Sequence, residues 1–226
     1  MQGIGKTDIG QVRQRNEDAF SLHLPIWAAV ADGMGGHLGG EQASNLAIQS
    51  LEDELLPQNQ PSDGQIDSWI ASAIEDANSL VYKHSLDNPE LAGMGTTLSL
   101  IYFSNSRMYW GHIGDCRIYL YRDNTLRLLT KDHALVGKEG HSSNILTRAL
   151  GVGQYIKVDT GSLAVFSGDH LLVCSDGLHG FVENNDLKNT FDSLKGKPNA
   201  ILDSLFEKVN QQGSRDNLTA VCWLVE

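Results

Sequence analysis

Residues 96–129 read TTLSLIYFSNSRMYWGHIGDCRIYLYRDNTLRLL. Within this stretch, residues 96–103, 108–113, 116–121 and 126–129 are short runs rich in β-branched and aromatic side chains. Such runs suit a pleated, half-buried surface. Between them lie Ser104-Asn105-Ser106, Gly114-Asp115 and Asp123-Asn124, residue types that form tight turns. The spacing predicts four short strands in one antiparallel meander.

Outward from the meander the period changes. Residues 66–84 carry Ile66, Trp69, Ile70, Ala73, Ile74, Ala77, Leu80 and Val81 at helical spacing, the stripe of a helix packed on a core. Residues 41–55 place Ala43, Leu46, Ala47, Leu51 and Leu55 on one face in the same way. The polar stretch 57–65, with two prolines and a glycine, is a loop. Nearer the start come a strand at 19–23 and an apolar run at 26–31 that breaks into DGMGGHLGG. After the meander come a strand at 170–174, a helix at 199–212 and a strand at 218–225. Pro198 opens that helix and Gly213 closes it. Two groups of helices around antiparallel strands predict a layered α+β fold rather than a parallel βαβ sheet. No stretch has the composition of an interdomain linker, so residues 1–226 are expected to form a single domain.

Composition narrows the function. The chain is 41% hydrophobic and 20% charged, as expected of a globular domain. Its formal net charge of −11 leaves no basic footprint for nucleic acid and no attraction to anionic membrane. There is no 18-residue apolar stretch, and MQGIGKTDIGQ has no apolar signal core. Cys116, Cys174 and Cys222 are odd in number, widely spaced and without a CxxC pair. Free thiols in a reducing compartment fit that pattern, and a cytoplasmic chain is expected. Cys174 and Cys222 lie in apolar runs and read as small core residues.

The acids carry the chemistry. Asp32 follows WAAVA, Asp115 follows YWGHIG, Asp176 follows HLLVCS, and Asp216 precedes LTAVCWLV. One aspartate at a strand end is ordinarily a turn former. Four of them, with Glu17 and Asp18 nearby, are harder to assign to turns alone. If the strands meet, the carboxylates converge and repel one another unless protonated or neutralised. Oxygen donors without a His or Cys ligand pair favour Mg²⁺, Mn²⁺ or Ca²⁺ over zinc. Ions sharing a carboxylate would make a two-metal site that activates water and neutralises a phosphoryl group. The loop DGMGGHLGG has no GK[ST] and does not match GxGxxG; its glycines would admit backbone carbonyls close to a metal. Arg13 lies three residues before Asn16-Glu17-Asp18, placed to bind a phosphate oxygen beside the acids.

Together these residues resemble the type 2C (PPM) metal-dependent protein phosphatases, in their compact bacterial form. The matching segments follow one another along nearly the whole chain. They are Gly10-Gln-Val-Arg13-Gln-Arg-Asn16-Glu17-Asp18, Ala31-Asp32-Gly33-Met34-Gly35-Gly36-His37, Gly93-Met-Gly95-Thr96-Thr97 and Gly114-Asp115-Cys116-Arg117. Then come Leu129-Thr130-Lys-Asp132-His133, Leu146-Thr147-Arg148-Ala-Leu-Gly151, Cys174-Ser175-Asp176-Gly177-Leu178 and Arg215-Asp216-Asn217-Leu218-Thr219. The resemblance implies a four-layer α-β-β-α sandwich, with two antiparallel sheets face to face and helices outside. It implies hydrolysis of phosphoserine and phosphothreonine by water held between two Mg²⁺ or Mn²⁺ ions, without a phosphoenzyme. In that scheme Asp32 bridges the ions, and Asp176 and Asp216 complete the coordination of the first ion. Glu17 and the Gly33 carbonyl hold the second ion, with Asp18 behind it through water. Asp115 and Asp176 hold a weaker third ion, and Arg13 grips the phosphate. The implied partners are phosphoprotein substrates and a cognate Ser/Thr kinase, met by a monomer.

Three departures stand out. Met34 occupies the position where many relatives carry His; His37 lies nearby, either to donate to the leaving alkoxide through water or only to touch substrate. Cys116 replaces the usual Ser. The flap between the Asp-His and Thr-Arg motifs is reduced to about residues 134–144.

Overall fold

A computed structural model describes residues 1–35, 38–56, 59–136 and 142–226. Two antiparallel sheets lie face to face. One has the order β1 (Gln2–Asp8), β13 (Leu218–Leu224), β12 (His170–Cys174), β7 (Arg117–Arg122), β8 (Thr125–Leu128). The other has the order β11 (Asp159–Ala164), β6 (Arg107–Ile113), β5 (Leu98–Ser104), β3 (Trp27–Met34), β2 (Asp18–His23). The short β4 (Gly95–Thr96) pairs with the end of β3. A separate two-stranded sheet joins β9 (Ala134–Val136) to β10 (Ser142–Leu146).

Alternation along the strands builds three cores. Between the sheets, Ala28, Val30, Ile101 and Phe103 meet Ile118, Leu120, Val173, Val221 and Trp223. The outer face of the β2–β3–β5–β6–β11 sheet is covered by α1 (Gly39–Glu54) and α2 (Ile66–Asp87). The outer face of the other sheet is covered by α4 (Asn184–Leu194) and α5 (Pro198–Gln211), with the single turn α3 (Asp176–His179) ahead of them. The predicted α-β-β-α layering is therefore the observed one. The stripe on α2 buries Ile66, Ile70, Ala73, Ile74, Ala77 and Val81, whereas Leu80 lies at its margin and is exposed. Gly213, with φ of 79°, ends α5 in the left-handed conformation that suits glycine.

The structure corrects the meander. β5–β6 and β7–β8 are both hairpins, but β6 and β7 belong to different sheets. The second hairpin turns on Asp123 and Asn124, both with positive φ, as a two-residue type I′ connection requires. Gly114-Asp115-Cys116 is instead a crossover, entered through Gly114 at φ of 96°. A turn signal shows that the chain changes direction; which sheet receives the next strand depends on packing across the sandwich. β3 also continues beyond the apolar run through Asp32, Gly33 and Met34, because β4 supplies partners for Gly33 and Met34.

Trp223 is fully buried between the sheets and stacks on Phe103 with ring centroids 4.7 Å apart. Trp223→Ala is expected to lower the unfolding free energy by about 3–5 kcal/mol. Urea denaturation with an unchanged m-value would report it. A loss below about 1 kcal/mol would mean that this inter-sheet core is not the main support of the fold.

Candidate metal centre

Each candidate acid sits at a strand end, and the topology brings these ends together. Asp18 begins β2 and pairs directly with Asp32 near the end of β3. β12 ends at Cys174, two residues before Asp176, and β13 begins two residues after Asp216. Because β12 and β13 are antiparallel neighbours, those two aspartates share one end of their sheet. Asp115 lies on the crossover between sheets. A cleft of about 370 Å³ results, lined by Arg13, Glu17, Asp32, Asp115, Asp176 and Asp216, with the Gly33 backbone among its walls. Asp18 lies behind it, buried, and accepts a 2.7 Å hydrogen bond from Ser175 Oγ.

Electrostatics shows how much these groups resist one another. Burial, then the charges of Asp18, Asp176 and Asp115, push Asp32 well above the usual carboxylate range. Asp18 is pushed up to about 7 by burial, with Asp176 and Asp216 adding to it. Asp115 is pushed up to about 7 by burial and by Asp176. Burial raises Asp176 and Glu17 too, and Asp216 adds to the rise in each. Asp18 Oδ1 and Asp176 Oδ1 are buried with no hydrogen-bond donor. Among the described residues no three such side chains close into a ready ligand cage. Hard oxygen donors, a shared cleft and orphaned carboxylate oxygens fit divalent cations of the Mg²⁺ or Mn²⁺ kind.

A second set of residues fixes the acids in place. The Asp32 N–H donates to Thr97 Oγ1 at 2.9 Å, and Thr96 Oγ1 donates to the Asp32 carbonyl at 2.9 Å. Asn217 accepts from the Glu17 N–H at 2.8 Å while its Nδ2 donates to the carbonyls of Ile9 and Arg15. That one side chain pins the loop bearing Arg13 and Glu17. The Gly33 N–H donates to the Glu17 carbonyl at 3.0 Å. A Cβ on Gly33 would stand 2.0 Å from the Gly40 carbonyl oxygen, so only glycine lets α1 approach β3 here. His179 Nε2 donates to the Asp115 carbonyl at 2.9 Å, and His133 Nδ1 accepts from the Gly114 N–H at 3.1 Å.

Sequence reasoning missed the holding roles of Thr96, Thr97, His133, His179 and Asn217. All but His179 lie in the matching segments, but their partners are remote in sequence. Arg13 is brought to the acids as expected, and its partner is Asp216, whose carboxylate oxygens lie 2.9 Å from Nη2. Met34 lines the cleft. His37 lies outside the described residues. Cys116 is fully buried, with Sγ 3.0 Å from Thr97 Oγ1, and burial raises its thiol well above the usual range. It is an inert structural thiol. Of the segment 134–144, β9 and β10 are an antiparallel pair, and residues 137–141 lie outside the described residues.

Comparison with known proteins accords with this geometry. The family pattern described as Protein phosphatase 2C matches residues 7–223. The chain is 34% identical to the serine/threonine phosphatase Stp of Listeria welshimeri, over 96% of this chain and 92% of that protein. It superposes on the crystal structure of the Mycobacterium tuberculosis serine/threonine phosphatase PstP/Ppp with a TM-score of 0.90 and 31% identity. That match covers 100% of this chain and 98% of the other. The catalytic domain of the serine/threonine protein phosphatase PstP in complex with two manganese ions matches with a TM-score of 0.88 and 31% identity, over 100% and 98% of the two chains. The chain belongs to the protein phosphatase 2C family.

Proposed function

We propose that this single domain hydrolyses phosphoserine and phosphothreonine in proteins, using divalent cations held in the acidic cleft. The observation that carries this reading is the convergence of Glu17, Asp32, Asp176 and Asp216 on one cleft beside Arg13. In a family of Ser/Thr phosphatases, that set supplies both the metal ligands and the phosphate grip.

Asp32 would be shared between two cations. Asp176 and Asp216 would complete one set, and Glu17 with the Gly33 carbonyl the other. Asp18 would act from behind through water, and Asp115 with Asp176 would serve a weaker third cation. When bound, such cations neutralise phosphoryl oxygens and lower the pKa of water at the site. Arg13 then has a phosphate oxygen to bind in addition to Asp216 and orients the ester for in-line attack. All three cysteines are buried, so no described thiol is available to form a phosphoenzyme. His37, three residues after Met34 in the chain, would either donate a proton through water to the leaving alkoxide or contact substrate. Mg²⁺ and Mn²⁺ meet the same ligands, so supply decides between them. No helix among the described residues is long and apolar enough to cross a membrane. The free cysteines fit a reducing compartment such as the cytoplasm; a monomer opposing a Ser/Thr kinase follows from the family resemblance alone.

Phosphate release from a phosphothreonine peptide should vanish with EDTA and return with Mn²⁺. Asp32→Ala and Asp176→Ala should each abolish most turnover while circular dichroism stays that of the wild type. Normal turnover in either variant would overturn the site. Arg13→Ala should raise KM more than it lowers kcat, because it removes a contact made to substrate and transition state alike; the reverse split would place Arg13 on the transition state.

Protons and cations compete for the same oxygens. Asp18 and Asp115 are held up to about 7, so below that pH they carry protons that a cation must displace. Mn²⁺ affinity should therefore weaken as pH falls from about 8 to about 6, with protons released on binding near neutrality. Calorimetry in two buffers of different ionisation enthalpy would measure both. A pH-independent affinity would remove these acids from the cation's surroundings.

A further inference from the structure

The lining of the cleft is of two chemical kinds. Arg13, Glu17 and Asn217 present charge and hydrogen-bonding groups, whereas Met34 and Leu146 present hydrocarbon and a thioether. The apolar part extends beyond the cleft to Val152. A Cβ built on Gly95 would lie 2.9 Å from Met34 Cε and 3.1 Å from Val152 Cγ1, so those two side chains flank one point over β4. Val152 is 55% exposed.

The backbone that carries this exposed side chain is held firmly. Thr96 and Leu150 exchange backbone hydrogen bonds of 3.1 and 2.8 Å, which ties the segment before Val152 to β4. Asn78, buried in α2, then grips both neighbours of Val152. Its Oδ1 accepts from the Gly151 N–H at 2.9 Å, and its Nδ2 donates to the Gly153 carbonyl at 3.0 Å. A lone exposed valine needs no explanation. A valine whose backbone is pinned on both sides, beside a methionine that lines the cleft, is a preorganised apolar contact.

We propose that Met34, Leu146 and Val152 form a subsite for the residue flanking the phosphorylated Ser or Thr, so that preferred substrates carry an aliphatic or aromatic side chain there. The proposal rests on the phosphatase reading above. A peptide whose phosphorylated residue enters the cleft must lay its neighbours along the rim. A flanking carboxylate finds no hydrogen-bond donor in the side chains of Met34, Leu146 and Val152 and would lose solvation against them. A flanking lysine finds no acceptor in the side chains of Met34, Leu146 and Val152. An apolar side chain removes water from all three.

The test uses the full chain with Mn²⁺ and phosphothreonine peptides that differ only in one flanking residue, Leu or Asp, on either side. p-Nitrophenyl phosphate, which has no flanking residue, is the reference substrate. The wild type should favour Leu over Asp in kcat/KM by roughly tenfold on at least one side, the discrimination that one apolar contact provides. Val152→Lys should collapse or invert that ratio, which is read within one enzyme and is independent of its absolute rate. A wild-type ratio within about twofold of unity on both sides, below what one apolar contact provides, would overturn the subsite, provided p-nitrophenyl phosphate is hydrolysed. So would a ratio that Val152→Lys leaves intact. Hydrolysis of neither peptides nor p-nitrophenyl phosphate by folded protein would overturn the phosphatase reading itself, and the subsite with it.

Discussion

Repulsion among carboxylates gathered where water is scarce is the constraint on which the rest of this structure depends. Asp32 is surrounded by Asp18, Asp176, Asp115 and Asp216, and each disfavours its ionised form. Left to itself such a cluster would spread apart or take up protons. Its persistence requires a frame rigid enough to hold like charges together and a ligand that neutralises them. Divalent cations meet the second requirement, and a phosphate ester then finds concentrated positive charge in a protein whose net charge is −11.

The frame is the β-sandwich. Apolar side chains from both sheets lock the two layers face to face, and the strand ends at one edge become a fixed platform. The acids stand at those ends rather than within the core, so each main chain is anchored while its carboxylate reaches the cleft. Thr96, Thr97 and Asn217 extend this anchoring by bonding backbone groups on either side of Asp32 and Glu17. Two histidines do the same around Asp115. The close approach of Gly33 and Gly40 seats α1 directly against the site.

Elements with strong periodicity were legible from the chain, and weak ones were not. The stripe of α2 and the β-rich runs were readable because burial on one face repeats at the period of the element. β1 was not, because Gln-Gly-Ile-Gly-Lys-Thr-Asp has no alternation and takes its strand character from pairing with β13. α4 buries only Leu187 and Phe191 in an otherwise polar stretch. The meander failed at Gly114-Asp115, where the turn residues suit a hairpin and a crossover equally well.

By itself the sequence determined the layered α+β class, the acidic residues at strand ends, the oxygen-donor chemistry and the family resemblance. These are properties of residue type, spacing and order, which a linear chain displays. Only the tertiary structure decided that β6 and β7 part into different sheets, that Asp176 and Asp216 share an end with Asp32, and that Arg13 faces Asp216. It also decided which polar side chains, up to 200 residues away, hold the acids in place. The physical reason is that convergence is a property of packing. The aspartates act on Asp32 because strands distant in sequence are pressed together, and that proximity comes from the inter-sheet core rather than from any local pattern.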